Sequence, residues 1–164
     1  MNIYFKEVKL LRRWLFMLSF ALVFYLVGSD YVEKFINYPV WAVIGQKDWL
    51  SFRTAVPAVQ LLLIYVIPAF VPILLLLLMI WWRPQGVNRA LIFLALLPEL
   101  WAFVVTGNYF VPQIQGPLSK AYSLSLIEEL MRNDFPLRGI PLLMLLVITA
   151  VMFIKIAKHN QNFI

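Results

Sequence analysis

One long stretch without charge limits what this chain can fold into. Between Arg53 and Arg83 there are 29 residues and no charged side chain. About 20 apolar residues in an α-helix cross the ~30 Å hydrocarbon core of a bilayer, so this stretch predicts a membrane-spanning helix that must tilt or protrude. Pro57, Pro68 and Pro72 are expected to kink it, because proline removes a donor and clashes with the preceding turn.

The composition extends this interpretation to the whole chain. Of its 164 residues, 63% are hydrophobic and only 13% are charged. Soluble domains average about 25% charged residues, so a soluble enzyme, a disordered tail and a nucleic-acid module are excluded. We therefore predict one all-α membrane domain, an antiparallel bundle of four transmembrane helices. The predicted spans are about 10–36, 54–82, 90–112 and 136–155.

A short amphipathic helix is predicted before the last span, at about 125–135. Ser125 and Glu128 have the spacing of a capping box that begins such a helix. We expect it to lie on the outer membrane surface or to cap the bundle. The first helix is expected to end near residues 37–39, which leaves open whether Asp30 and Glu33 lie within the membrane.

The basic residues predict the orientation. With both termini on one side, that side carries a single acid, Glu7, and the other side carries six bases and six acids. The positive-inside rule then places both termini in the cytoplasm, in what we expect to be a bacterial inner membrane. The net charge of +6 is thus interpreted as membrane topology rather than nucleic-acid binding. The bases on the side of the termini are Lys6, Lys9, Arg12, Arg13, Arg83, Arg89, Lys155 and Lys158.

The near absence of cysteine and histidine limits the cofactors and metal sites that the chain could hold. The chain has no cysteine and one histidine, His159. Disulfides, thiol redox pairs, iron–sulfur clusters, a bis-histidine haem and multi-histidine zinc or copper sites are therefore excluded within one chain. We expect no intrinsic cofactor and no metal, while a bound lipid, quinone or pigment stays open.

Glu99 is the strongest candidate for a functional residue. It lies near the middle of the third span, where a charged carboxylate costs at least ~2.5 kcal/mol on insertion scales. It should therefore be protonated or paired. It could carry a proton, act as a general acid or base, or anchor a polar group of a ligand. A hydrogen bond between helices, to Tyr25, Gln60 or Tyr65, would explain it equally well.

Other polar residues could join Glu99 in a polar track through the bundle. Thr106 shares its helix face at seven-residue spacing, and Asn108 follows closely. Ordinary hydrogen bonding between helices, worth only ~0.6 kcal/mol per contact, is the alternative. Arg53 and Arg138 could hold an anionic head group or simply anchor the outer helix ends. The candidate ligand-binding residues are Glu99, Thr106, Asn108, Gln60, Tyr65 and Tyr25.

Three segments carry a family resemblance. They are Asn37-Tyr38-Pro39-Val40-Trp41, residues 111–118 (VPQIQGPL) and residues 133–138 (NDFPLR). In layout the chain resembles the anthrone-oxygenase-like group of bacterial four-helix membrane proteins, most of unknown function. The resemblance implies a four-helix bundle with a structured outer loop before the last helix. In a few members it implies cofactor-independent oxygenation of a polycyclic phenol. No catalytic residue is carried over from the family.

Three classes of function remain on this basis. The first is a non-catalytic accessory or scaffold subunit bound to membrane lipids and to other membrane-protein subunits. The second is a binder or carrier of a hydrophobic small molecule, such as a quinone, pigment or lipid, around Glu99. The third is a membrane enzyme that uses Glu99 as its acid or base.

Overall fold

The chain folds into long helices, some interrupted by wider π-helical turns. The computed structural model describes residues 2–55 and 62–161, with the side chains of residues 8, 10–55 and 62–159. Its α-helices are α1 (Asn2–Val32), α2 (Tyr38–Thr54), α3 (Ile67–Trp81), α4 (Arg89–Val105), α5 (Leu124–Asp134) and α6 (Ile140–Gln161). The π-helical segments are Glu33–Asn37, Leu62–Val66, Thr106–Gln115 and Phe135–Gly139, and a helical turn, Gly116–Leu118, follows the third. The described residues contain no strand.

Four helical stretches in the described residues are long and apolar enough to cross a membrane. They run Leu10–Thr54, Leu62–Trp81, Arg89–Leu118 and Leu124–His159. Helix α1 packs against α3 and α6, and α4 packs against the same two helices, which closes a ring of four. The predicted all-α four-helix architecture of an integral membrane protein is therefore confirmed.

The bundle has one apolar core that extends over most of its length. Phe16 and Val23 of α1, Leu76 of α3, Ile92 of α4 and Leu145 of α6 are almost completely buried in it. At one end the turn between α3 and α4 lies against the end of α6, as Gly86 does against Lys155. The start of α1 reaches the same end, because Arg13 lies beside Ile156 and Ala157.

Gly86 allows this close approach. Its φ is +89°, and a Cβ there would lie 2.8 Å from the Lys155 carbonyl oxygen. We expect Gly86→Ala to lower the free energy of unfolding in detergent micelles by about 1–2 kcal/mol, because an L side chain is strained in this conformation. Gly28→Ala is the matched control, since a Cβ at Gly28 meets nothing within 4 Å. Equal stabilities of the two variants would contradict the argument.

Each π-helical segment ends two residues before a proline: Pro39, Pro68, Pro117 and Pro141. In an α-helix the proline ring clashes with the carbonyl four residues earlier. Tyr38, Gly116 and Ile140, each just before a proline, donate instead to the carbonyl five residues earlier. The wider turn moves that carbonyl aside. Proline therefore widens these helices without ending them. The kinks expected at Pro68 and Pro72 stay predictions, and Pro57 lies outside the described residues.

Beyond the π-helical turns, the helices build a second apolar core, which we call the outer tier. Trp49 of α2, Phe110 and Ile114 of the third span, and Ile127 and Leu130 of α5 are almost completely buried there. The outer tier consists of α2, the extension of α4 through Leu118, and α5.

The outer tier corrects two sequence-based expectations about helix ends. The first helix does not end near residues 37–39 but continues to Thr54, with a break at Gly45 where φ is +75°. The amphipathic helix predicted at about 125–135 is present as α5, and it continues through a π-helical turn into α6. The N-cap of α5 is Ser123, whose hydroxyl accepts from the Leu126 amide at 3.4 Å, rather than the predicted Ser125.

Candidate functional site

A cluster of charged side chains lies between the bundle core and the outer tier. We call it the junction cluster. The π-helical turn after α1 and the one before α6 bring its members together. They are Asp30, Lys34, Tyr38, Asp134 and Arg138.

The Arg138 guanidinium is the centre of the junction cluster. It forms an ion pair with Asp134, whose side chain is completely buried. Its Nη2 also donates to the Tyr38 hydroxyl at 2.9 Å, and its Cζ lies 4.5 Å from the Phe110 ring centroid. One side chain thus joins α5, the start of α2 and the α4 extension. Removing two charges from water costs free energy, so the geometry of the ion pair and its additional hydrogen bonds decide whether the pair stabilises the fold.

Asp30 and Lys34 complete the junction cluster from the side of the first helix. Asp30 is 8% exposed and interacts electrostatically with Asp134 and Arg138. It lies against Gly139, where a Cβ would come within 3.2 Å of the carboxylate. Lys34 places its Nζ 3.7 Å from the ring centroid of Phe135, a cation–π contact. The cluster is compact because the glycine lets two helices approach.

Two smaller groups of polar side chains also form hydrogen bonds between helices. Glu33 accepts a hydrogen bond from Tyr65, which joins the first helix to the start of the second span. Tyr109 donates to Glu129 at 2.5 Å and accepts from Asn133 at 2.7 Å, which joins the α4 extension to α5. Both groups therefore act as links between helices.

Arg53 packs against the aromatic side chains of the outer tier. Its Cζ lies 5.2 Å from the Trp41 ring centroid and 5.6 Å from that of Trp49, and its Nη2 donates to Gln115 Oε1 at 3.3 Å. The sequence left Arg53 and Arg138 either as anchors or as holders of an anionic head group. The structure places both against aromatic rings, with Arg53 half-buried.

Glu99 lies in the bundle, separate from the junction cluster. Its side chain is 3% exposed, and its Oε2 has no hydrogen-bond partner among the described residues. The hydroxyl of Tyr25 donates to the Ile64 carbonyl at 3.1 Å, and that of Tyr65 donates to Glu33. Neither tyrosine therefore donates to Glu99. Gln60 lies outside the described residues.

The remaining candidates of the predicted polar track hydrogen-bond to their own helix. Thr106 donates to the Ala102 carbonyl at 2.7 Å, and Asn108, which is exposed, donates to that of Val104 at 2.9 Å. Such bonds satisfy a polar side chain in an apolar environment without a partner helix. The hydrogen bonds of Tyr25, Tyr65, Thr106 and Asn108 thus lead away from Glu99.

The sequence pointed to Arg138 but not to its partners Asp134 and Tyr38 in the junction cluster. Asp134 and Arg138 stand four residues apart, which would have suggested an ion pair on a helix. Pro136 between them argued against a continuous helix, and the wide turn that keeps the helix intact is not visible in a hydrophobicity pattern. In the part of the chain that the structure describes, no group of three or more metal-ligating side chains is close enough to hold an ion.

Comparison of the chain with known protein families, with curated proteins and with solved structures finds no match. The resemblance to anthrone-oxygenase-like proteins therefore stays a prediction.

Proposed function

We propose that this protein is a non-catalytic accessory subunit of a membrane complex, with both termini in the cytoplasm. One observation carries the proposal. Arg138 forms an ion pair with Asp134 and donates to Tyr38, and Glu33 accepts a hydrogen bond from Tyr65, all within the fold. These contacts join the bundle to the outer tier. A large apolar surface, with side chains such as Leu97 and Met144 exposed, suits binding to another membrane protein.

The exposed faces of the bundle give the proposal a direct test. Leu97 of α4 is 66% exposed and Met144 of α6 is 53% exposed, on different helices. We would place a photo-crosslinking amino acid at each position and purify the protein from native membranes in a mild detergent. An accessory subunit gives a discrete protein adduct from one face and a stoichiometric partner in the purified complex. A lone chain with lipid adducts from both faces would rule the proposal out.

A second function is favoured by Glu99 alone. A carboxyl oxygen that is buried without a partner is costly, and a ligand that donates a hydrogen bond would satisfy it. We propose, as the alternative, that the bundle holds a hydrophobic molecule with such a donor, for example a quinol or a phenolic pigment. Mass spectrometry and absorption spectra of the natively purified protein would detect it, and the ligand should be absent from Glu99→Leu.

The same substitution should also change the stability of the ligand-free protein. We expect Glu99→Leu to raise the free energy of unfolding of the ligand-free protein by about 1–3 kcal/mol, because it removes an unsatisfied buried polar group. Detergent-induced unfolding, followed by circular dichroism, measures this. The control is Glu128→Leu, which removes an exposed carboxylate and should change little. A large loss of stability in Glu99→Leu would show that Glu99 has a structural partner.

A further inference from the structure

A groove opens at the basic end of the bundle, between the start of α1 and the end of α6. Its volume is about 230 Å³, and its lining is apolar apart from one arginine. It is too small for a drug-sized ligand, which needs at least ~300 Å³. A segment of a lipid acyl chain is the apolar group that membrane surroundings supply to such a space. The lining residues are Arg13, Phe16 and Met17 of α1 and Phe153, Ile156 and Ala157 of α6.

Stacked aromatic rings hold the groove in shape. Phe153 stacks on Phe20 with centroids 5.7 Å apart, and Phe20 stacks on Phe16 at 6.1 Å. Phe16 and Ile156 are buried at the base, whereas Met17 and Phe153 are each 42% exposed. The groove is therefore preformed and open to the membrane, so that a bound chain would order few side chains.

The charge around the groove determines which lipid it suits. Arg13 lies in the lining itself, at the membrane end where the sequence has eight bases and one acid. Arg12 stands one turn before Phe16, and its Nε is buried without a hydrogen-bond partner among the described residues. A phosphate would supply the acceptor that this N–H lacks. Basic pockets between transmembrane helices bind anionic head groups in this way.

We propose that the groove is a binding site for one anionic phospholipid, with part of an acyl chain between α1 and α6 and the phosphate at Arg12 and Arg13. The site requires neither a protein partner nor Glu99, and it shares with the proposed function only the cytoplasmic placement of the termini. It lies at the end assigned to the cytoplasmic leaflet, where anionic lipids attract basic residues.

The test is a lipid titration of the delipidated full-length protein, followed by native mass spectrometry. Phosphatidylglycerol and phosphatidylcholine of identical acyl chains are the two probes. We expect tighter binding of phosphatidylglycerol and loss of this preference in Arg13→Gln, with about fivefold weaker binding for the loss of one charge. Ala157→Phe and Met17→Phe, which fill the groove without changing charge, should weaken binding at least as much.

Two control variants separate a defined site from general attraction. Arg83→Gln removes a base from the same end of the bundle but not from the groove, and Val151→Phe adds a ring elsewhere on α6. Both should bind phosphatidylglycerol like the native protein. Equal weakening by Arg83→Gln and Arg13→Gln, with no effect of either groove-filling variant, would mean surface electrostatics only and would overturn the proposal. Equal affinity for the two lipids would overturn it as well.

Discussion

Arg138→Met is expected to lower the free energy of unfolding by about 3–5 kcal/mol, one of the two largest effects we predict for a single side chain. The substitution leaves the carboxylate of Asp134 completely buried without its cation. Breaking a buried ion pair from one side costs this much, because an uncompensated charge stays in the interior. The Tyr38 hydroxyl also loses the donor at 2.9 Å. Detergent-induced unfolding, followed by circular dichroism, measures the change.

A double variant tests whether the cost comes from the unpaired charge. Asp134→Leu with Arg138→Met removes both charges, and we expect it to recover most of the lost stability, since apolar replacement of a buried pair is often neutral. Arg132→Met is the control on the same helix; its side chain is exposed, and its substitution should change the free energy of unfolding by less than ~0.5 kcal/mol. If Arg138→Met behaves like Arg132→Met, the junction cluster does not hold the tiers together.

The junction cluster also shows where sequence reasoning succeeded and where it did not. The four spans could be predicted because membrane thickness fixes the length of an apolar helix, as in the 29 residues between Arg53 and Arg83. Helix ends were harder to place. Pro39 was interpreted as the end of the first helix, yet one wide turn, Glu33–Asn37, carries the helix past it. A hydrophobicity pattern does not reveal such a turn, because it does not show that the Tyr38 amide, just before Pro39, donates to the Glu33 carbonyl five residues earlier.

Only part of the candidate site could be predicted from the sequence, for a related reason. Glu99 was identified correctly as a buried carboxyl group, since a charge inside an apolar span is rare and has few explanations. Its neighbours were not predictable from helix periodicity. That periodicity places Thr106 on the same face, but Thr106 donates to Ala102 of its own helix. The rotation of one helix against the next is set by side-chain packing, which the pattern of a single sequence does not contain.

Trp49→Ala is the second substitution with a large expected effect, because Trp49 holds the outer tier together. Its side chain is completely buried, and its Nε1 donates to the Leu118 carbonyl at 2.7 Å. Its ring packs edge-on against Trp41 and Tyr122, with centroids 5.9 and 5.6 Å away. We expect a loss of about 3–5 kcal/mol, the usual cost of truncating a buried aromatic ring to alanine. Trp49→Phe, which keeps a ring but leaves the Leu118 carbonyl without its donor, should lose about 1–3 kcal/mol.

The loss should be confined to one tier, because the bundle has its own apolar core without Trp49. Hydrogen exchange should therefore speed up in α2 and α5 and stay slow in α4. Trp81→Ala is the matched control, since Trp81 is 68% exposed at the opposite end of the bundle. Faster exchange throughout the chain would mean that the tiers unfold as one unit. Under the accessory-subunit proposal, a partner lost from Trp49→Ala but kept by Trp81→Ala binds through the outer tier, and a partner kept by both binds through the membrane face.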